Sequence, residues 1–321
     1  MKHNQDNESI SVNFADRLQD QIDKLNNPTV IGLDPLLEYV PENLRNYFLQ
    51  NCDDPGMAAG LAIYEYNRRI IDSVHDIIPA VKPQLAYFEQ YGTHGSEALK
   101  QTISYAKQKG MIVIADGKRN DIGSTAQAYA NAIFGDGPTD SDSGRSGLTA
   151  DSATLNAYLG LDGIEPFLQS CRQHGKGVFI LVRTSNPSAG DLQDQILQDG
   201  RTVYEAMADK VNEWGNDLIG QSGYSSVGAV VGATWPGQAI SLRKRMPKVM
   251  MLVPGYGAQG ATADNAVAGF SAEGRGGIVN ASRSLMQAWK KHGMDHELFD
   301  IACRKEAIIM KNELNRALSK R

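Results

Sequence analysis

Cysteine is scarce in this chain: Cys52, Cys171 and Cys303 are the only three among 321 residues. They are too few and too scattered for a disulfide framework or a zinc knuckle, which suits a reducing compartment. Long apolar runs are missing as well. Stretches such as 178–182 and 249–253 fall far short of the roughly 20 residues that a membrane helix needs, so no membrane partner is expected. The opening residues, MKHNQDNESISVNF, lack the apolar core of a secretory signal and the arginine richness of a transit peptide; the expected location is cytoplasmic. Positive charge is not in excess, with 32 Lys and Arg against 37 Asp and Glu and a net charge of -5. A general nucleic-acid binder is thereby disfavoured, because nothing offsets the phosphate backbone. No GxxxxGK[ST] phosphate loop occurs, and no GxGxxG follows the first apolar run, where Asp34 and Pro35 stand instead, so a dinucleotide site is disfavoured too.

What is present is ample core material: 41% hydrophobic residues and 32 glycines, enough for a large packed interior. Short β-rich runs alternate with longer segments of helical period. The predicted strands are 29–33, 80–85, 111–115, 152–156, 177–182, 226–231, 248–253 and 277–280, with helical segments such as 56–75, 95–108, 124–134, 203–219 and 261–268 between them. Eight strand–helix units fit a closed parallel barrel better than an open doubly wound sheet. The expectation is a single α/β domain, a (β/α)8 TIM barrel spanning 28–321, with an N-terminal lead-in at 1–27 and a C-terminal helix at about 296–319. The Asp/Gly/Ser-rich stretch 135–147 reads as a mobile surface insertion.

A barrel of this kind carries its chemistry at the C-terminal ends of the strands. Polar residues stand there in sequence: Asp34 after the first run, Lys82 and Gln84 in the second, and Asp116, Lys118 and Asp121 after the third. Thr184, Ser185 and Asn186 follow the fifth, Gly255 to Gly260 the seventh, and Ser282 and Arg283 the eighth. Alternation of side chains puts Asp116 and Lys118 on one face, which the apolar run before them makes the barrel interior. At about 4 Å and an effective dielectric of 20, such a pair attracts by about 4 kcal/mol, part of which burial offsets. Lys82 adds a second cation, giving an alternating array suited to a site where negative charge develops. The histidines, dispersed without ligand spacing, and the ten methionines read as scaffold. VPGYGAQG followed by NASRS matches the phosphate pocket that barrels build after strands seven and eight, with backbone N–H groups and the fork of Arg283 as donors.

These motifs, VIGLDP, VKPQLAYFE, DGKRNDIGST, LVRTSNPS, LVPGYGAQG and IVNASRS, in order from about residue 30 to 285, resemble the orotidine 5'-phosphate decarboxylase family, in its longer bacterial type 2 form. The resemblance implies conversion of orotidine 5'-phosphate (OMP) to uridine 5'-phosphate (UMP) and carbon dioxide in pyrimidine biosynthesis, without metal or organic cofactor. It implies a catalytic array of Lys82, Asp116, Lys118 and Asp121, with Asp121 reaching into a partner's site, and hence a homodimer with shared active sites. By the same resemblance Lys118 is the proton donor at C6, Asp116 lies near the departing carboxylate, and Lys82 orients Asp116 and touches the ribose. Asp34 and Gln84 bind ribose or border the array, and Thr125 reaches the ribose of the partner's site. Thr184 or Ser185 reads the pyrimidine edge, Gln259 and Arg283 grip phosphate, and Pro254 lines the pocket. The alternatives are a magnesium-dependent phosphosugar decarboxylase or synthase of the same barrel family, which needs a carboxylate where this chain has Lys82, and a silent nucleotide-binding barrel. A Schiff-base aldolase is disfavoured because Lys118, flanked by two aspartates, should stay protonated.

Overall fold

Eight parallel strands close on themselves in sequence order. They are β1 (Thr29–Leu33), β2 (Ala80–Pro83), β3 (Ile112–Arg119), β4 (Ser152–Leu155), β5 (Gly177–Arg183), β6 (Ser225–Val231), β7 (Val249–Val253) and β8 (Gly277–Ala281), and β1 pairs with β8 to complete the barrel. The computed structural model describes residues 12–137, 147–257 and 260–321. The first part of the lead-in, most of the 135–147 insertion and Gln259 lie outside the described residues.

The period of two along each strand sorts the side chains into two cores. Ile31, Leu33, Val81, Val113, Ala115, Val178, Ile180, Val227, Ala229, Met251 and Val279 face outward and pack with the helices in one continuous apolar cluster. Val30, Ala80, Ile112, Ile114, Phe179, Val230, Met250, Leu252 and Ile278 face inward and form a second cluster. On β1 to β4 and on β8, continuing the inward parity one step toward the C-terminal end reaches Gly32, Lys82, Asp116, Thr154 and Asn280. The polar layer is thus the top layer of the barrel interior, set by the same alternation that builds the apolar layers beneath it.

The helix Phe14–Leu25, capped by the Asn13 side chain accepting from Ala15 N at 2.8 Å, closes the opposite end. Phe14, Ala15, Leu18 and Ile22 belong to the inner cluster. Phe14 meets Phe179 edge to face at 5.9 Å, in space left by Gly177, whose absent Cβ would fall 2.0 Å from the Phe14 ring. Deleting a buried phenylalanine costs about 3–5 kcal/mol. Phe14→Ala is therefore expected to lower the thermal unfolding midpoint by many degrees, and an unchanged midpoint would rule out this plug as a stabilising element.

At the far end of the chain, the helix Phe299–Leu318 lies against the helix Pro55–Val74. Phe299 stacks on Tyr66 at 4.4 Å, under the Arg69 guanidinium 4.5 Å from its centroid. The Tyr66 hydroxyl donates to Met286 O at 2.8 Å, tying this layer to the turn after β8.

Three elements depart most from the sequence expectation. The third strand does not stop at Ala115 but runs to Arg119, so Asp116 and Lys118 are strand residues. Segment 203–219 is a helix only over Val203–Trp214; it breaks at Gly215, where a Cβ would lie 2.6 Å from Ser225 Oγ. Segment 261–268 reduces to one turn, Ala263–Ala266.

Candidate active site

The polar top layer centres on one carboxylate. Asp116 Oδ2 accepts from Lys82 Nζ at 2.5 Å and Gln84 Nε2 at 3.2 Å, while Oδ1 accepts from Lys118 Nζ and Thr154 Oγ1, each at 2.8 Å. Both oxygens are thereby saturated by donors from three adjacent strands and from the bridge residue after β2. Lys118 makes its contact from a backbone that departs from the regular strand. Lys118 has φ +47, the β3–β4 register shifts between Ala115 and Arg119, and the Lys118 amide donates to Thr154 Oγ1 at 3.0 Å. A left-handed residue other than glycine costs about 1–2 kcal/mol, and here that strain turns the ammonium back over Asp116.

Burial by itself would raise the Asp116 carboxyl, but the Lys82 and Lys118 ammonium groups outweigh it and hold it far below the usual carboxylate range. Burial would likewise lower Lys82, but Asp116 and then Asp34 raise it above its ordinary value. Because the Asp116 value is depressed on folding, its contribution to stability is present above the usual carboxylate range and is lost only as pH falls through the depressed value. The raised Lys82 contributes below the ordinary lysine value and loses its part as pH rises through the raised one. Both groups thus stay charged across the neutral range. The side-chain ¹³C carboxyl signal of Asp116 is expected to be flat from about pH 3 to 9, a window that contains the value of about 3.9 for an unperturbed aspartate; an inflection inside that window would contradict the charged array.

Two adjoining cavities open over this layer. The first, about 400 Å³, has Lys82, Asp116, Lys118 and Thr154 along one wall, Leu181, Val230 and Leu252 as an apolar floor, and Thr184, Ser185, Asn186 and Gln193 on the β5 side. An apolar floor with polar groups at the edge suits a flat ring. The second, about 230 Å³, shares Pro254 and Asn280 with the first and adds Asp34, Tyr39, Tyr87, Gly255, Tyr256, Ser282 and Arg283. Two of its acceptors, Asp34 Oδ1 and Asn280 Oδ1, are buried without a hydrogen-bond partner among the described residues. Buried acceptors of that kind call for a ligand that donates, as neighbouring sugar hydroxyls do. Gly32 permits the close approach there, since a Cβ on it would stand 1.9 Å from Ser282 Oγ. A larger hollow of about 650 Å³ lies beyond Arg283, against the C-terminal helix; it holds none of the charged array, so size does not locate the chemistry.

The sequence-predicted residues divide accordingly. Lys82, Asp116, Lys118, Thr184, Ser185 and Pro254 line the first cavity, and Asp34, Pro254 and Arg283 the second. Gln84 lines neither and holds Asp116 by its amide. Arg283 opens the short helix after β8, is exposed, and its guanidinium has no hydrogen-bond partner among the described residues. Asp121 and Thr125 are not brought to either cavity: Asp121 Oδ1 accepts from Ile122 N at 2.8 Å, and Thr125 is exposed on the helix Gly123–Phe134. Of the hydroxyl pair, Thr184 is engaged with Gln193 and Asn186, whereas the Ser185 hydroxyl has no partner among the described residues. Thr154, Asn280, Gln193 and Arg183 were not singled out as site residues. Period-two parity, opposite to the outward-facing Ala153 and Leu155 for Thr154 and onward from the inward-facing Ile278 for Asn280, was a usable signal for the first two.

The chain matches the orotidine 5'-phosphate decarboxylase / HUMPS family over residues 31–292. It belongs to that family. Among curated relatives, the orotidine 5'-phosphate decarboxylase of Rhodopirellula baltica is 45% identical over 278 residues, 87% of this chain and 89% of that protein. The enzyme of the same name from Caldicellulosiruptor saccharolyticus is 40% identical over 312 residues, covering 96% of this chain and all of that one. Among solved structures, Leishmania donovani UMP synthase superposes with a TM-score of 0.75 at 30% identity, over 96% of this chain and 57% of that protein. The OMP decarboxylase of the same organism gives 0.68 at 29% identity, over 94% and 99%. The family match spans seven strands entirely and most of β1. It therefore contains the whole charged array and both cavities over it.

Proposed function

We propose that this member of the orotidine 5'-phosphate decarboxylase family converts OMP to UMP and carbon dioxide, with Lys118 as the proton donor. The observation that carries this reading is the Lys82–Asp116–Lys118 array at the edge of an apolar-floored cavity. Placed with its ring on Leu181, Val230 and Leu252 and its ribose toward Asp34 and Asn280, the substrate brings C6 to the charged wall and its phosphate to Arg283. The C6–carboxylate bond breaks, the electron pair stays on C6, and the Lys118 ammonium gives C6 its proton as carbon dioxide leaves; the lysine recovers a proton from water. Fixed positive charge where the carbanion forms is the main stabilising effect. Asp116 keeps Lys118 in place through the 2.8 Å contact and sets a second negative charge beside the departing carboxylate.

The magnesium-dependent alternative needs free carboxylate oxygens, and those of Asp116 are already taken by four donors. Conversion is to be followed by ultraviolet absorbance on EDTA-treated protein. Turnover supports the metal-independent reading, whereas folded protein that is inert until magnesium is restored favours the alternative.

Asp121 and Thr125, outside their own chain's cavities, are suited to complete the site of a second copy, and a homodimer in the cytoplasm is part of this proposal. Mixing Lys118→Ala with Asp121→Ala subunits should restore about a quarter of wild-type activity, because half of randomly formed dimers are hybrids with one intact site of two. No recovery after subunit exchange would place Asp121 in its own chain's site, and an Asp121→Ala homodimer as active as wild type would place it outside catalysis.

A further inference from the structure

Beside the first cavity lies an arginine that the mechanism above does not use. Arg183, at the end of β5, is the largest fully enclosed side chain among the described residues, with 0% of its side chain exposed. It stacks on Trp235 at 4.3 Å and donates to Gln238 Oε1 at 2.8 Å, Gln193 Oε1 at 3.3 Å and Asp194 Oδ2 at 3.1 Å. A guanidinium has only donors. The Thr184 amide, a second obligatory donor, points at the same Gln193 oxygen at 3.0 Å. The Gln193 amide is therefore held in one of its two flips, with oxygen toward Arg183 and nitrogen toward the loop.

That orientation passes along the loop. Gln193 Nε2 donates to Thr184 Oγ1 at 2.8 Å, and the Thr184 proton goes to Asn186 Oδ1 at 2.7 Å. With its oxygen occupied, Asn186 has its amide N–H groups left to offer. Gln193, Thr184 and Asn186 all line the first cavity, and neither the Asn186 nitrogen nor the second N–H of Gln193 has a partner among the described residues.

We infer that Arg183 sets the hydrogen-bond polarity of this relay, so that Asn186 and Gln193 present donors to the ring and select a pyrimidine edge carrying two carbonyl oxygens over one carrying an amino group. The inference deepens the reading of the cavity as a pyrimidine nucleotide site and rests on it. Arg183 is a positioning residue here and touches no substrate. A ring amino group facing these donors leaves N–H against N–H, and an unmade buried hydrogen bond is what gives such sites their discrimination.

The test compares UMP and CMP as competitive inhibitors of OMP turnover. Gln193→Glu keeps the acceptor for Arg183 but has no donor, so Thr184 must donate to it and Asn186 must turn its nitrogen to Thr184 and its oxygen to the cavity. Asn186→Asp, on an exposed side chain where folding is not at stake, removes the donor directly. In both variants the preference for UMP over CMP should fall about 10- to 100-fold, with the unfolding midpoint recorded alongside. A folded variant of either kind that keeps the wild-type preference overturns the inference. Wild-type protein that turns over OMP yet binds UMP and CMP equally overturns it too, whereas wild-type protein that neither turns over OMP nor binds either nucleotide overturns the nucleotide reading itself.

Discussion

Lys118→Ala is expected to lower kcat/KM for OMP by at least about 10⁴-fold while leaving the barrel folded. A positioned proton donor contributes about 10²- to 10⁴-fold and a fixed charge at the developing anion about 10²- to 10³-fold, and this one ammonium supplies both. The fold should survive for a reason visible in the hydrogen bonds: Asp116 retains Lys82, Gln84 and Thr154 when Lys118 is cut back, and the lysine side chain is itself 44% exposed. Truncating Lys82 instead should be costlier to stability, because its side chain is enclosed and its loss leaves a buried carboxylate with less compensation. The measurement is single-turnover decarboxylation together with an unfolding midpoint for each variant. A Lys118→Ala protein within tenfold of wild type would end the proton-donor assignment.

Much of this was legible before any coordinates. The apolar runs that became β1 to β8 were separable because each is short, β-branched and bounded by glycine or polar residues. Asp116 and Lys118 stood two apart after such a run, and parity alone put them inside. What parity did not reveal was the means of contact: the positive φ at Lys118 has no composition signal, since lysine is not a residue that favours it. The Arg183 relay was illegible for a different reason. Arg183 meets Gln193 ten residues on, and Gln238 and Trp235 from beyond β6, so the network exists only after the loops have folded. The Phe14 plug depends likewise on a long-range fit, a ring in the lead-in filling the space a glycine leaves in β5. The described part of the lead-in, residues 12–27, carries no motif because its inner face contributes by apolar fit.

Arg283→Ala should reduce kcat/KM for OMP on the order of 10³-fold, although the guanidinium stands at the far end of the second cavity from the bond that breaks. In the proposed reading, the cavities of about 400 and 230 Å³ that meet at Pro254 and Asn280 take the ring and the phosphate of one ligand at opposite ends. Binding energy at the phosphate end can then hold C6 against Lys118, which lowers the barrier and not merely the substrate's dissociation constant. A guanidinium already engaged with the protein would have less to offer; that of Arg283 has no partner among the described residues, so its two-pronged donor set is free for phosphate oxygens. The decisive control is the nucleoside orotidine, which lacks the phosphate. Wild type and Arg283→Ala should turn it over equally slowly, because the group that Arg283 holds is gone. If the substitution slowed orotidine and OMP by the same factor, Arg283 would be acting through the fold of the turn after β8 and not on the phosphate.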